Sequence, residues 1–347
     1  MATTKSVKAF NSFNPVTGEA VGTYAIHSAK AVAEIIEHAR HASTAWQKLG
    51  FSARKKTLLA WSNYIIKNID RIAALVSLET GKPLSDAKLE VSMAVSHIGW
   101  AARHAEDIMR TSHRAPGALM ANMSATVERS PLGVVGVIGP WNYPIFTPVG
   151  SIAYALAAGN TVVFKPSEYT PGVGVWLEES FNSVAPFADI LTTITGLAET
   201  GNALCISGVD KLSFTGSTRT AKLVAAACAT NMTPVVLECG GKDPVIIAAD
   251  ANVDRAVDAT MWSAMANAGQ SCIGAERVYV DEKVADAFIA KAVALAGSIH
   301  AGTPEDGNYG PATMPSQISV ISSHIKAAIK DGGKFAYGSL KSVQAPF

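Results

Sequence analysis

The chain has 347 residues, 48% of them hydrophobic and only 16% charged. That is more than one typical core needs, so the sequence predicts a compact protein of two domains or of one domain with a large insertion. A formal net charge of +1 with scattered basic residues excludes an electrostatic case for nucleic acid or an acidic membrane and leaves small neutral or anionic metabolites as the default partners. The first ten residues hold no apolar signal-peptide core and no later segment is a long charge-free span, which points to a cytoplasmic protein. The four cysteines, Cys205, Cys228, Cys239 and Cys272, show neither paired metal spacing nor a dense disulfide pattern; reduced thiols and no metal are expected.

In chain order, Ser28 to Leu49 is predicted to be an amphipathic helix capped by Ser28, with Val32, Ile35, Ile36 and Ala39 at helical spacing. Ser52 to Ile69 and Asp70 to Thr80 follow as helices, and Gly81-Lys82-Pro83 breaks the pattern before another helix from Leu84. Thr126 to Arg129 is a candidate strand. Between Val134 and Ile247, short β-branched runs (Val134 to Ile138, Thr161 to Phe164, Leu191 to Ile194, Lys211 to Phe214, Pro234 to Leu237) alternate with Ala-rich helical stretches. The alternation specifies an α/β fold of βαβ units on a parallel sheet, whose ligands bind at the carboxyl ends of the strands. A second α/β region from Asp243 contains a helix around Asp254 to Ala268, a strand Arg277 to Val280 and a helix Val284 to Ile299, and Gly302 to Pro315 is expected to be a surface loop. The domains are set at 1–241, N-terminal helices with a nucleotide-binding α/β domain, and 242–347, a partial catalytic α/β domain.

Five short segments carry chemistry, and Asn142, Lys165, Glu168, Gly216, Ser217 and Glu238 all fall just after one of the strand runs. Cys272, in Gly269-Gln270-Ser271-Cys272, offers a thiolate nucleophile, and Glu238, 34 residues earlier in Glu238-Cys239-Gly240-Gly241-Lys242, offers a base for water. Pro140-Trp141-Asn142-Tyr143-Pro144 fixes an amide directly after a strand, a suitable oxyanion donor or, alternatively, a rigid turn with Asn142 bonding its own backbone. Lys165-Pro166-Ser167-Glu168 presents a lysine and a carboxylate able to hold ribose hydroxyls, the carboxylate disfavouring a 2′-phosphate. Phe214-Thr215-Gly216-Ser217-Thr218 ends a strand and opens a helix whose free amides suit a pyrophosphate, or is a plain serine-capped turn. No Gly-x-Gly-x-x-Gly fingerprint occurs at a strand-to-helix turn; Gly133, Gly136 and Gly139 lie in or beside a strand.

Taken together in this order and spacing, the five segments resemble those of the NAD(P)-dependent, non-acylating aldehyde dehydrogenases, and the likeness runs from Asn14-Pro15-Val16-Thr17-Gly18 to the Gly302 loop. The resemblance implies oxidation of a small-molecule aldehyde to a carboxylic acid through a thiohemiacetal and thioester on Cys272, with Glu238 as general base and Asn142 as oxyanion donor. It implies NAD, with NADP possible, held by Trp141, Lys165, Ser167, Glu168, Gly216, Ser217 and Gly240, and a homodimer or homotetramer. Its texture leans toward succinate-semialdehyde dehydrogenases and broad-range bacterial members. Cys239 stands where leucine is most common in that family, and Ser151 where many relatives carry a lysine. After Gly332-Gly333-Lys334 the family continues through a Glu-Glu-x-Phe-Gly-Pro segment, whereas this sequence ends at Phe347, so a C-terminally truncated member is expected. The alternatives are a truncated inactive relative that binds nucleotide or a partner subunit, and a CoA-acylating aldehyde dehydrogenase.

Overall fold

The computed structural model describes residues 8–303 and 305–346; residues 1–7, Pro304 of the expected Gly302 loop, and Phe347 lie outside the described residues. Strands β1 (Ala9–Phe13) and β2 (Ala20–Ala25) form an antiparallel hairpin that the sequence pattern does not announce. Four helices follow: α1 (Ala29–Lys48), α2 (Gly50–Lys67), α3 (Ile69–Thr80) and α4 (Leu84–Met109). Ser28 caps α1 as expected, its side chain accepting from the Ala31 amide, and Val32, Ile36 and Ala39 form the buried stripe. The expected strand at Thr126 to Arg129 is shorter and shifted: β4 (Ala125–Val127) pairs with β3 (Ser112–Arg114), and Glu128 and Arg129 lie beyond it.

The alternating middle of the chain builds β5 (Val134–Ile138), α5 (Phe146–Ala158), β6 (Thr161–Lys165), α6 (Pro171–Asn182), β7 (Leu191–Thr193), α7 (Ala198–Ile206), β8 (Lys211–Gly216), α8 (Thr218–Ala229) and β9 (Val235–Cys239). The five strands make one parallel sheet in the order β7-β6-β5-β8-β9. Strand side chains alternate between two cores. Val135, Val137, Val162 and Phe164 face a cluster built with α2 to α6, while Val134, Val163, Leu212 and Phe214 face one built with α1, α7 and α8. Because β6 and β7 extend the sheet to one side of β5 and β8 and β9 to the other, the order reverses between β5 and β8. The crevice at their carboxyl ends is where such sheets receive ligands.

Beyond the sheet, β10 (Asp243–Ile247) and β11 (Ala275–Val280) pair in parallel and pack with α9 (Val253–Met265) and α10 (Glu282–Ala296) around Ile247, Val257 and Phe288. Helix α11 (Ser316–Lys330) is not announced by the sequence pattern either, and a short 3-10 turn (Leu340–Ser342) follows it. The Gly302-to-Pro315 segment departs from a plain surface loop: Gly310, Pro311 and Thr313 are buried. Thr313 Oγ1 donates to the Thr80 carbonyl at 2.8 Å. Gly81, at φ +77°, lies so close to Pro311 that an added Cβ would meet the proline ring at 2.5 Å. Among the described residues no helix is long and apolar enough to cross a membrane.

Candidate active site

The Pro140-to-Pro144 segment, expected to supply an oxyanion donor, lies between the end of β5 at Ile138 and the start of α5 at Phe146, and buried charges fix this turn. Lys82 Nζ donates to Glu90 Oε2 at 2.6 Å and to the Asn142 carbonyl at 2.7 Å. Glu90 Oε1 accepts from the amides of Ile145 (2.8 Å) and Phe146 (3.2 Å), which are first-turn amides that the helix itself cannot satisfy. Both charged side chains are essentially out of water, at 2% and 0% exposure. The Lys82 ammonium also lies 4.4 Å from the Tyr143 ring centroid. In the sequence, Gly81-Lys82-Pro83 reads only as a helix break, and Glu90 belongs to none of the five segments. A signal exists all the same: Glu90 stands on the apolar stripe Ala87, Val91, Ala94 and Ile98 of α4, where a carboxylate needs a partner.

The segment with Cys272, the expected nucleophile, follows α9. After Met265, the turn Ala266–Gly269 holds Asn267, Ala268 and Gly269 at φ of 54°, 57° and 71°. For the two non-glycine residues this left-handed backbone costs on the order of 1–3 kcal/mol each, so surrounding bonds must impose it. They do. Asn267 Nδ2 donates to the carbonyls of Asn142 (3.0 Å) and Gln270 (3.2 Å), and Gln270 Nε2 donates to those of Asn267 (3.1 Å) and Pro311 (3.2 Å). The Thr313 amide donates to Gln270 Oε1 at 3.0 Å. Cys272 then sits exposed, two residues beyond Gln270, as a free thiol.

Asn142 and the Cys272 loop are joined directly: Asn142 Nδ2 donates to the Gln270 carbonyl at 2.8 Å. An amide has two N–H groups, so this bond orients Asn142 and leaves the second for a ligand. Tyr143 lies against the same loop. Burial pushes its hydroxyl pKa up, a hydrogen bond with Ser271 pulls it back, and the negative charges of Glu90, Asp86 and Cys272 raise it further. Tyr143 and Asn267 border a cavity of about 320 Å³ whose other walls include Asp86, Met93, Met261, Trp262 and Met265. Burial raises the Asp86 pKa against the opposing pull of Lys82 and the Asn267 amide. The cavity thus meets the Asn142 turn at Tyr143 and the turn before the Cys272 loop at Asn267.

Glu238 lies on β9, in register with Thr215 of β8, and is exposed; Cys239 opposes Gly216 and turns inward against the α7–α8 core. Among the described residues no hydrogen bond links Glu238 to Asn142 or to the Cys272 loop. The expected nucleotide residues gather at one edge of the sheet. Lys165 ends β6, Gly216 ends β8, Ser217 caps α8, Gly240 follows β9, and half-buried Trp141 follows β5. Ser217 Oγ accepts from the Thr220 amide at 3.2 Å and so uses its side chain on the helix it opens. Ser167 is buried and accepts from the Tyr169 amide at 3.3 Å.

Lys165 is 4% exposed, with Nζ donating to the Pro166 carbonyl at 2.9 Å and standing 4.0 Å from Glu168 Oε2. Burial lowers its pKa, and Glu168 opposes that shift. An ammonium has three N–H groups, and this buried one has spare donors beside a half-exposed carboxylate at a strand end. That donor set, with the first-turn amides of α8, fits a dinucleotide.

The family model for the Aldehyde dehydrogenase family matches residues 2–345. The chain belongs to the aldehyde dehydrogenase family. It is 35% identical over 333 residues to glutarate-semialdehyde dehydrogenase of Pseudomonas putida, covering 94% of this chain and 68% of that protein. To succinate-semialdehyde dehydrogenase (NADP(+)) of Escherichia coli it is 34% identical over 335 residues, covering 95% and 69%. Among solved structures, an E. coli NADP-dependent enzyme superposes with a TM-score of 0.91 at 34% identity, over 95% of this chain and 69% of that one. PnpE in complex with nicotinamide adenine dinucleotide superposes at 0.89 with 33% identity, over 94% and 67%. This aldehyde dehydrogenase sequence therefore spans a little over two thirds of the length of these relatives.

Proposed function

We propose that this aldehyde dehydrogenase oxidises its substrate through Cys272, Asn142 and Glu238, and the observation that carries the reading is the 2.8 Å bond from the Asn142 amide to the Gln270 carbonyl of the Cys272 loop. Cys272, as thiolate, attacks the aldehyde carbon. The oxygen of the resulting thiohemiacetal takes the developing negative charge, which the free N–H of Asn142 and the Cys272 amide stabilise. Bound NAD(P) supplies the hydride acceptor for this oxidation. Lys165 and Glu168 would hold its adenosine ribose, and Trp141, Ser167, Gly216, Ser217 and Gly240 would border the rest of the dinucleotide. From the thioester, Glu238 takes a proton from water, whose oxygen adds to the acyl carbon; the C–S bond breaks and the carboxylic acid leaves. A base at position 238 favours hydrolysis over transfer to coenzyme A, which needs no water activation.

Glu168 supports NAD, since its carboxylate would repel a 2′-phosphate, although the E. coli and Thermoplasma acidophilum relatives carry NADP in their names. The E. coli and Pseudomonas putida names support succinate and glutarate semialdehydes as the first members of a substrate panel, and the Thermoplasma acidophilum name adds D-glyceraldehyde. A homodimer or homotetramer is proposed on family resemblance, to be read from light scattering. The reading as a whole is tested by aldehyde-dependent reduction of NAD and NADP across the panel: wild type turns over, and Cys272→Ala does not. Full turnover by Cys272→Ala would remove the assigned nucleophile.

A further inference from the structure

The Lys82–Glu90 pair is costly to bury, which raises the question of what it holds. Each ion normally loses several kcal/mol of hydration on burial, so such a pair persists where its geometry is used. Its bonds all end on one short segment. Lys82 grips the Asn142 carbonyl at 2.7 Å, and Glu90 grips the amides of Ile145 and Phe146 at 2.8 and 3.2 Å, so the turn is pinned at both ends. The two ions are themselves joined at 2.6 Å, which locks the distance between the two grips. Asn267 Nδ2 adds a second donor on the same Asn142 carbonyl from the nucleophile side. Lys82 borders the cavity, but its ammonium is committed to Glu90, Asn142 and the face of Tyr143.

We propose that Lys82 and Glu90 are positioning residues that set the Asn142 amide at the distance from Cys272 where its free N–H meets the oxyanion. The inference rests on the reading of Asn142 as oxyanion donor. A shift of even about 1 Å in a donor of this kind costs most of its effect, which explains an ionic clamp where a turn of this length could be held by apolar packing.

The test is a double-mutant cycle on the pre-steady-state burst of reduced cofactor, using the full chain. Asn142→Ala should lower the burst rate constant by about 10²–10³-fold, and Lys82→Met alone by at least about 10-fold. Placed on the Asn142→Ala background, Lys82→Met should add less than about 2-fold, because its route to the reaction is gone. Alkylation of Cys272 by iodoacetamide needs no oxyanion donor and should stay within about 2-fold of wild type, while Lys82→Arg, which keeps a cation for Glu90, should recover part of the burst. If Lys82→Met does not accumulate as folded protein, Glu90→Gln carries the same cycle, since its amide oxygen still serves Ile145 and Phe146. Independent, multiplying losses in the two backgrounds would overturn the proposal, as would a wild-type burst in Lys82→Met while Asn142→Ala is slow. A wild-type burst in Asn142→Ala itself would instead remove the oxyanion reading, and the positioning role with it.

Discussion

In the proposed cofactor site, Glu168 and Lys165 would set the preference between NAD and NADP with two side chains of opposite character. One is half exposed and the other nearly out of water, 4.0 Å apart. A phosphate on the ribose would meet the carboxylate first, so Glu168→Ser should shift the ratio of kcat/KM for NADP over NAD upward by roughly 10-fold or more, measured with one aldehyde at both cofactors. An unchanged ratio would place discrimination elsewhere. At this scale the sequence is informative where chemistry and chain position coincide: Cys272 and Asn142 are both readable, and the 2.8 Å bond through Gln270 joins their loops. Lys82 and Glu90 escape it for a physical reason. Lys82, between glycine and proline, reads only as a helix break, and only the tertiary fold brings it under Asn142.

The elements show where strain and burial are used. The turn after α9 keeps Ala268 at φ 57°, a conformation glycine adopts without steric cost. Ala268→Gly should therefore raise stability by about 1 kcal/mol in thermal or denaturant unfolding. A loss would mean that the alanine methyl is making a packing contact worth more than the strain. At the start of α6, Glu79 accepts from the amides of Gly172 and Val173, each at 3.0 Å, yet burial pushes its pKa up to about 7 from the ordinary 4.5 despite those bonds. The sign follows from proton binding. A carboxyl that holds its proton more tightly when folded contributes stability below pH 4.5 and loses it as pH rises through about 7, on the order of 3 kcal/mol at most. The stability contributed by Glu79 should thus decline between those limits, and Glu79→Gln should flatten the slope. An equal slope in that variant would assign the pH dependence to other raised carboxyls such as Asp86 and Glu178.

For the molecule as a whole, periodicity reveals the five strands and most of the helices, because βαβ units write a period of two and a period near 3.6 in alternation. Strand order is not legible: nothing local distinguishes a crossover that extends the sheet from one that returns across it, and the β5–β8 switch emerges only from the pairing. The β1–β2 hairpin escapes because its strands bury little, and Pro311 to Thr313 read as loop because their burial depends on the distant Thr80–Gly81 turn. The largest core joins the helical layer to the sheet through residues such as Trp61, fully buried, edge-on to Phe181 at 5.3 Å and bonded to Ser180 Oγ at 2.8 Å. Trp61→Ala should cost about 3–5 kcal/mol in unfolding experiments, and a cost under about 1 kcal/mol would show that this layer is not part of the cooperative core. The division of labour between Cys272 and Glu238 is tested most directly by mixing Glu238→Gln with aldehyde and NAD and following both reduced cofactor and protein mass. About one equivalent of reduced cofactor is expected in a rapid burst, with slow turnover thereafter and an acyl group on the Cys272 peptide. Absence of the burst, or an acyl group on Cys239 instead, would contradict that division of labour.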